Sequence, residues 1–133
     1  MFLSRGQFAG ASLYKSVDMG SRIEGATPHQ LVQLMYDELI KALDAMAVAV
    51  RRGDYAQRGE RQARALKILT GLETSLDFDK GGEIAASLAT IYREARRLLV
   101  AAGADNDEAI VAQVRTMIGE IATAWTQIGL PKD

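Results

Sequence analysis

The feature that most constrains this chain is a two-residue break, Gly53-Asp54, between two long stretches of helical hydrophobic spacing. Glycine readily takes the left-handed conformation that ends a helix, and aspartate is a favoured N-cap, so one helix stops and the next begins almost at once. A connection that short makes the two helices antiparallel neighbours. Upstream, Thr27-Pro28-His29-Gln30 is a start signal: Thr27 as N-cap, Pro28 at the first helical position and Gln30 completing a capping box. Val32, Met35, Tyr36, Leu39, Leu43, Met46 and Val50 then recur at mostly three- and four-residue steps until Arg51 and Arg52. The pattern predicts a helix over 28–52, about 25 residues and roughly 37 Å long.

Three further helices follow from the same grammar. The second, 55–76, carries a buried stripe of Ala65, Leu66, Leu69, Leu72 and Leu76, with Arg58, Arg61, Arg64 and Lys67 on its outside and Gly59 as a local weakness. Asp77 to Gly82 reads as a loop because paired glycines and two aspartates interrupt the pattern. The third helix, 83–102, places Ile84, Leu88, Ile91, Ala95, Leu98 and Ala102 on a coiled-coil-like seam, with Gly103 at C′. Asp105 with Glu108 repeats the capping-box pattern before a fourth helix, 106–128, whose stripe is Ile110, Val114, Met117, Ile121, Ala124 or Trp125, and Ile128, stopping near Gly129-Leu130-Pro131. Four amphipathic helices joined by short turns make an all-α, antiparallel, up-down-up-down four-helix bundle over 27–133. The first 26 residues hold Phe2, Leu3, Phe8, Leu13, Tyr14, Val17, Met19 and Ile23 and are too apolar for an inert tail. They are expected to dock on the bundle, as one short helix around Gln7 to Ser16, and to cover an apolar surface.

Composition narrows the chemistry. Aromatic residues make up only 6% and there are two prolines, which favours helix over sheet. A net charge of −1 offers no general attraction for nucleic acid or anionic membranes. No cysteine and a single histidine exclude zinc fingers, thiol enzymes, disulfide scaffolds and two-histidine metal sites. No run reaches the ~18 apolar residues of a spanning helix, and residues 1–20 are interrupted by Arg5, Lys15 and Asp18, so neither stable membrane insertion nor a cleaved export signal is expected. Cysteine-free composition fits a reducing cytosol.

The remaining candidates for chemistry have bland counterparts. His29 is the only side chain with a natural pKa near neutrality, yet it sits in a first helical turn rather than exposed in mid-helix, as phosphotransfer requires. Glu38, Glu94, Glu120 and the Asp105 to Glu108 run fall off the core stripes or at a helix start, and the Glu-x-x-His pattern of a di-iron bundle is missing. The arginines at 51–52, 58, 61 and 64, and 93, 96 and 97 suggest an anion clamp or, with Glu60, Glu73 and Glu94 nearby, ordinary solvated faces. Gly81-Gly82 before a helix lacks the lysine and hydroxyl residue of a phosphate loop. More informative is a second face of the first helix, where Leu31 and Leu34 lie off the main stripe with Ala42, Ala45, Ala49 and the charged Glu38. That small-residue face accepts a helix at close range, either a bundle neighbour or a partner segment.

The run Thr27-Pro28-His29-Gln30-Leu31-Val32-Gln33-Leu34-Met35-Tyr36-Asp37 resembles the signature of the flagellin-specific export chaperone family, FliS. Tyr14 resembles the tyrosine upstream of that helix, Gly81 to Ala85 the family's loop and helix start, Ser87-Leu88 with Ile91-Tyr92 its next helix, and Asn106-Asp107 with Trp125 its last. Ser87, where the family commonly has asparagine, and Glu38-Leu39, where it has a small pair, depart from the pattern. The resemblance implies a cytosolic, non-enzymatic chaperone without cofactors or metals. Its client is the C-terminal segment of flagellin, kept from premature polymerisation and handed to the flagellar type III export apparatus. An export-gate protein and a flagellar regulatory protein are the further partners it implies; the oligomeric state stays open. On this reading Tyr14 is the plug of a client groove bordered by Leu31, Leu34, Met35 and Tyr36. The alternative is a histidine-phosphotransfer domain or other small signalling or enzymatic bundle acting through His29 or the arginine rows.

Overall fold

A computed structural model describes residues 25–128. Among them are four helices: α1 (Pro28–Arg52), α2 (Tyr55–Thr74), α3 (Phe78–Asp105) and α4 (Glu108–Ile128). The expected short helix around Gln7 to Ser16, Tyr14 and the stop at Gly129-Leu130-Pro131 lie outside the described residues. In sequence order the helices form an up-down-up-down bundle. α1 packs against α2 and α4, and α3 against the same two, so α1–α3 and α2–α4 face each other across the diagonal.

The start and stop signals of α1 form as written. Thr27 Oγ1 accepts from the Gln30 amide at 3.1 Å and Gln30 Oε1 accepts from the Thr27 amide at 2.9 Å, closing the capping box. At the other end Gly53 is left-handed, φ 67°, and Asp54 Oδ1 accepts from the Gln57 amide at 3.1 Å to open α2. Met35, Tyr36, Leu39, Leu43 and Met46 are completely buried and form the spine of the core.

Three parts of the sequence reading need correction. First, α3 begins at Phe78 rather than 83, as one helical turn capped by Asp77 and broken at Gly82, whose φ of 50° and ψ of −125° suit glycine. It also runs past Gly103 to Asp105 and ends on a left-handed Asn106. Gly103 is therefore an interior residue, not a C′ stop: a Cβ there would lie 2.3 Å from Gln62 Oε1, so glycine permits α2 and α3 to meet. Asp107, not Asp105, caps α4, its carboxylate accepting from the Ala109 amide at 2.9 Å.

Second, the polar half of α2 is not wholly outside. Arg58 Nη1 donates to the Gly103 carbonyl at 2.8 Å, Gln62 Nε2 donates to the Leu99 carbonyl at 3.1 Å, and Arg64 pairs with Glu38 at 2.9 Å. Directional bonds to α3 and α1 hold a stretch that lacks apolar side chains. Third, the inner rows of α3 and α4 include the expected Ala95, Ala102, Val114 and Trp125 but otherwise lie one residue away from those expected. The buried stripe of α3 is Ala85, Ala89, Tyr92, Ala95, Leu99 and Ala102, and that of α4 is Val111, Val114, Ile118, Ala122 and Trp125. Ile84 and Ile128 are instead 60% and 66% exposed, and Leu88, Ile91, Leu98, Ile110, Met117 and Ile121 are half-buried. The small alanines go inward because the diagonal gap at Tyr36 and Tyr92 is already filled by two phenol rings.

Candidate functional site

That displacement creates a groove. In both α3 and α4 the second apolar row precedes the buried stripe by one position, and in antiparallel neighbours such a shift turns both rows toward one shared seam. There Ile84 and Leu88 from α3 and Ile121, Ala124 and Ile128 from α4 wall an apolar cleft of about 210 Å³, with Tyr36 and Trp125 at its base. Apolar side chains left this exposed and grouped on a bundle mark a surface that something else covers.

The two base residues, Tyr36 and Trp125, are held by His29 and Tyr92, four side chains that the sequence scatters over three helices. His29, in the first turn of α1, lies flat on Trp125 near the end of α4, ring centroids 4.4 Å apart and planes within 3°. The Trp125 indole N–H donates to the His29 carbonyl at 2.9 Å. Tyr36, two turns further along α1, meets Trp125 edge-on at 6.2 Å. Its hydroxyl lies 2.6 Å from that of Tyr92, joining α1 to α3 across the diagonal. Burial pushes the Tyr36 phenol up from 10.0 to about 12, against a smaller lowering by the bond to Tyr92. Burial, with Tyr36 alongside, raises Tyr92 as well. Both are neutral hydrogen-bonding groups at physiological pH.

Tyr36 is the one described candidate that the structure brings to this groove. Met35 is completely buried, Leu31 is buried, and Leu34 is half-buried against the core; none of the three is among the cleft's walls. Of the small-residue face they share, Ala42 and Ala49 are buried and Glu38 pairs with Arg64 of α2, so a bundle neighbour takes much of it. Burial pushes the Glu38 carboxyl up, but Lys41 at 3.1 Å and Arg64 at 2.9 Å together hold it below its ordinary value. A second cleft, about 370 Å³, remains on this side between Ala45, Val48, Ala49, Arg52 and Arg61. Ile84, Leu88, Ile121, Ile128, Tyr92 and Trp125 are the site residues that sequence reasoning placed elsewhere or left without a role. Their signal was the doubled apolar row on each of the last two helices.

The other chemical candidates have structural occupations. The His29 Nε2 is buried without a hydrogen-bond partner and the ring is stacked on Trp125. The arginine rows meet carboxylates: Arg93 and Arg96 converge on Glu73 at 2.8 and 2.6 Å, Arg51 reaches Glu108 at 3.0 Å, and Arg97 pairs with Glu94. The amides before Gly81-Gly82 are taken by Asp77 Oδ1, which accepts from Asp79 and Lys80. Among the described residues no group of three or more His, Cys, Asp or Glu side chains is placed to hold a metal, and no helix is long and apolar enough to cross a membrane.

Compared with known families, residues 10–132 match the model of the flagellar protein FliS. The chain belongs to the FliS family. Among its relatives, the flagellar secretion chaperone FliS of Salmonella typhimurium is 35% identical over 121 residues, covering 90% of each chain. That of Vibrio cholerae is 33% identical over 115 residues, covering 86% of this chain and 85% of its own. FliSB of Pseudomonas aeruginosa is 29% identical over 115 residues, covering 86% and 91%. FliS is thus a family of flagellar secretion chaperones rather than of enzymes. The aromatic floor of His29, Tyr36, Tyr92 and Trp125 gives the motif residues of this FliS member a common structural purpose.

Proposed function

We infer that the protein holds the C-terminal segment of flagellin in the cytosol, with the α3–α4 groove as its main seat. The observation that carries this reading is the exposed apolar wall formed by Ile84, Leu88, Ile121 and Ile128 over a rigid aromatic floor. A segment that otherwise drives filament assembly is apolar along one face when helical, and an open groove between two helices accepts such a face through i, i+3 and i+4 anchors. Ordering a disordered client on binding is costly, so useful affinity needs a large apolar contact rather than a few polar ones. Held in this way, the client is kept from polymerising before it is delivered to the type III export apparatus, where an export-gate protein receives it.

Residues 1–26 are proposed as a tethered plug that competes with the client, with Tyr14 as the plug residue. The tether gives a high effective concentration but a small contact, so a client burying more surface displaces it without any hydrolysis. A flagellar regulatory protein acts through the same competition. On α1, Leu34 retains surface for a further piece of the client, whereas Leu31 and Met35 act through the packing that supports Tyr36.

Calorimetric titration of a flagellin C-terminal peptide into wild type, Ile84→Asp, Leu88→Asp and Leu34→Asp tests this reading. Loss of at least tenfold in affinity is expected for the two groove variants, the scale of placing one carboxylate in an apolar contact. Wild-type affinity in both, with unchanged folding, would remove the groove as the seat. Unchanged affinity in Leu34→Asp would remove only Leu34.

A further inference from the structure

His29 is the first helical residue after a proline, and nothing in that position calls for an aromatic ring. Yet its imidazole lies parallel to Trp125 at 4.4 Å and its carbonyl takes the indole N–H at 2.9 Å. The imidazole Nε2 is buried and has no hydrogen-bond partner. A buried ring nitrogen without a partner is a cost, so what this site uses from histidine is its flat face rather than its proton chemistry. On the other side Tyr36 meets the same indole edge-on. Trp125 is thereby fixed between two rings and one backbone carbonyl, three residues before α4 ends at Ile128 in the described structure. Trp125 and Ile128 both line the apolar cleft.

The geometry points to His29 as a positioning residue for client binding: its ring clamps the Trp125 indole flat, so that the floor of the α3–α4 groove exists before a client arrives. The inference rests on the groove being the client's seat. Without the ring the indole keeps only the Tyr36 edge and the backbone carbonyl of residue 29, and each binding event must restore the restraint that was lost. Aromatic pairs of this kind are worth roughly 0.5–1.5 kcal/mol beyond buried area, which corresponds to about a twofold to twelvefold weakening of binding.

The test compares His29→Phe with His29→Leu in the full chain. Both are apolar and fill similar space, but only phenylalanine can stack. Flagellin C-terminal peptide is titrated into each, and the emission of Trp125, the single tryptophan of the chain, is recorded in the free proteins. The clamp predicts wild-type affinity and emission for His29→Phe. For His29→Leu it predicts weaker binding by about that factor and emission shifted to longer wavelength as the indole meets water. Equal affinity and equal emission in the two variants overturn it, as does loss of binding in His29→Phe, which would mean that the imidazole nitrogens are what matters. Ile84→Asp in the same series separates the two levels. If it weakens binding while His29→Leu does not, the clamp alone fails; if it leaves binding unchanged, the groove and the clamp fail together.

Discussion

Replacing Tyr36 with phenylalanine removes one oxygen from the core, and the consequence can be worked from the geometry. The two hydroxyls lie 2.6 Å apart, with Tyr36 0% and Tyr92 1% exposed, so water does not replace a lost partner. Tyr36→Phe strands the Tyr92 hydroxyl, a penalty of about 1–3 kcal/mol. For a domain of this size each kcal/mol shifts Tm by roughly 3–5 °C. Tyr36→Phe/Tyr92→Phe removes both partners and recovers most of the loss, because two apolar rings of the same shape need no bond. Thermal and urea unfolding of the wild type, both single variants and the double variant form a double-mutant cycle, with an expected coupling of about 1 kcal/mol or more. The same pair sets an alkaline limit. The Tyr36 pKa is higher in the folded protein, about 12, than the ordinary 10.0. Its contribution is therefore present in full below about pH 10 and is lost as pH rises toward about 12, on the order of 2–3 kcal/mol. Tyrosinate absorbance followed against pH should show ionisation coinciding with unfolding in the wild type, and the double variant should lose this part of the alkaline dependence. Additive losses in the cycle, or ionisation of both phenols near pH 10 without unfolding, would refute the buried bond.

Three smaller perturbations test the frame around the groove. Gly103→Ala normally favours a helix by about 1 kcal/mol, but here the new Cβ lies 2.3 Å from Gln62 Oε1, so the Gln62 amide must swing away and give up its bond to the Leu99 carbonyl; urea unfolding should show the helix gain cancelled, a net change of about 1 kcal/mol or less. Asp107→Ala removes the acceptor for the Ala109 amide and should cost about 1 kcal/mol by the same assay. Glu38→Gln should flatten the acid limb of stability: its carboxyl is held below 4.5, so the stabilisation is present above that pH and lost as pH falls through the lower folded value, and a pH series of melting curves measures it.

Where the sequence carried an unambiguous local device, it specified the structure. The Thr27 to Gln30 capping box and the Gly53-Asp54 reversal formed as their chemistry requires, and the reversal makes α1 and α2 adjacent. The stripes of α3 and α4 were harder because each helix carries two adjacent apolar rows, and a period of 3.6 does not say which faces inward. Ala85 and Ala89 look like filler beside Ile84 and Leu88, yet the small residues are the buried ones. The decision is made from outside the helix, by Tyr36 reaching Tyr92 across the diagonal. Gly103 was misread for a related reason: its glycine answers to Gln62 of another helix, not to the end of its own. The groove was visible only as a surplus of apolar residues that four stripes do not need. Its aromatic floor depends on contacts such as that between residues 29 and 125, which no local pattern encodes.

A client lying in the α3–α4 groove leaves its mark on amide hydrogen exchange, measured with and without a flagellin C-terminal peptide. The account predicts that bound peptide slows exchange over 84–92 in α3 and 117–128 in α4, with the Trp125 indole N–H among the most protected. Protection confined to the α1–α2 side around Ala45, Val48 and Arg61, with α3 and α4 unchanged, would contradict it.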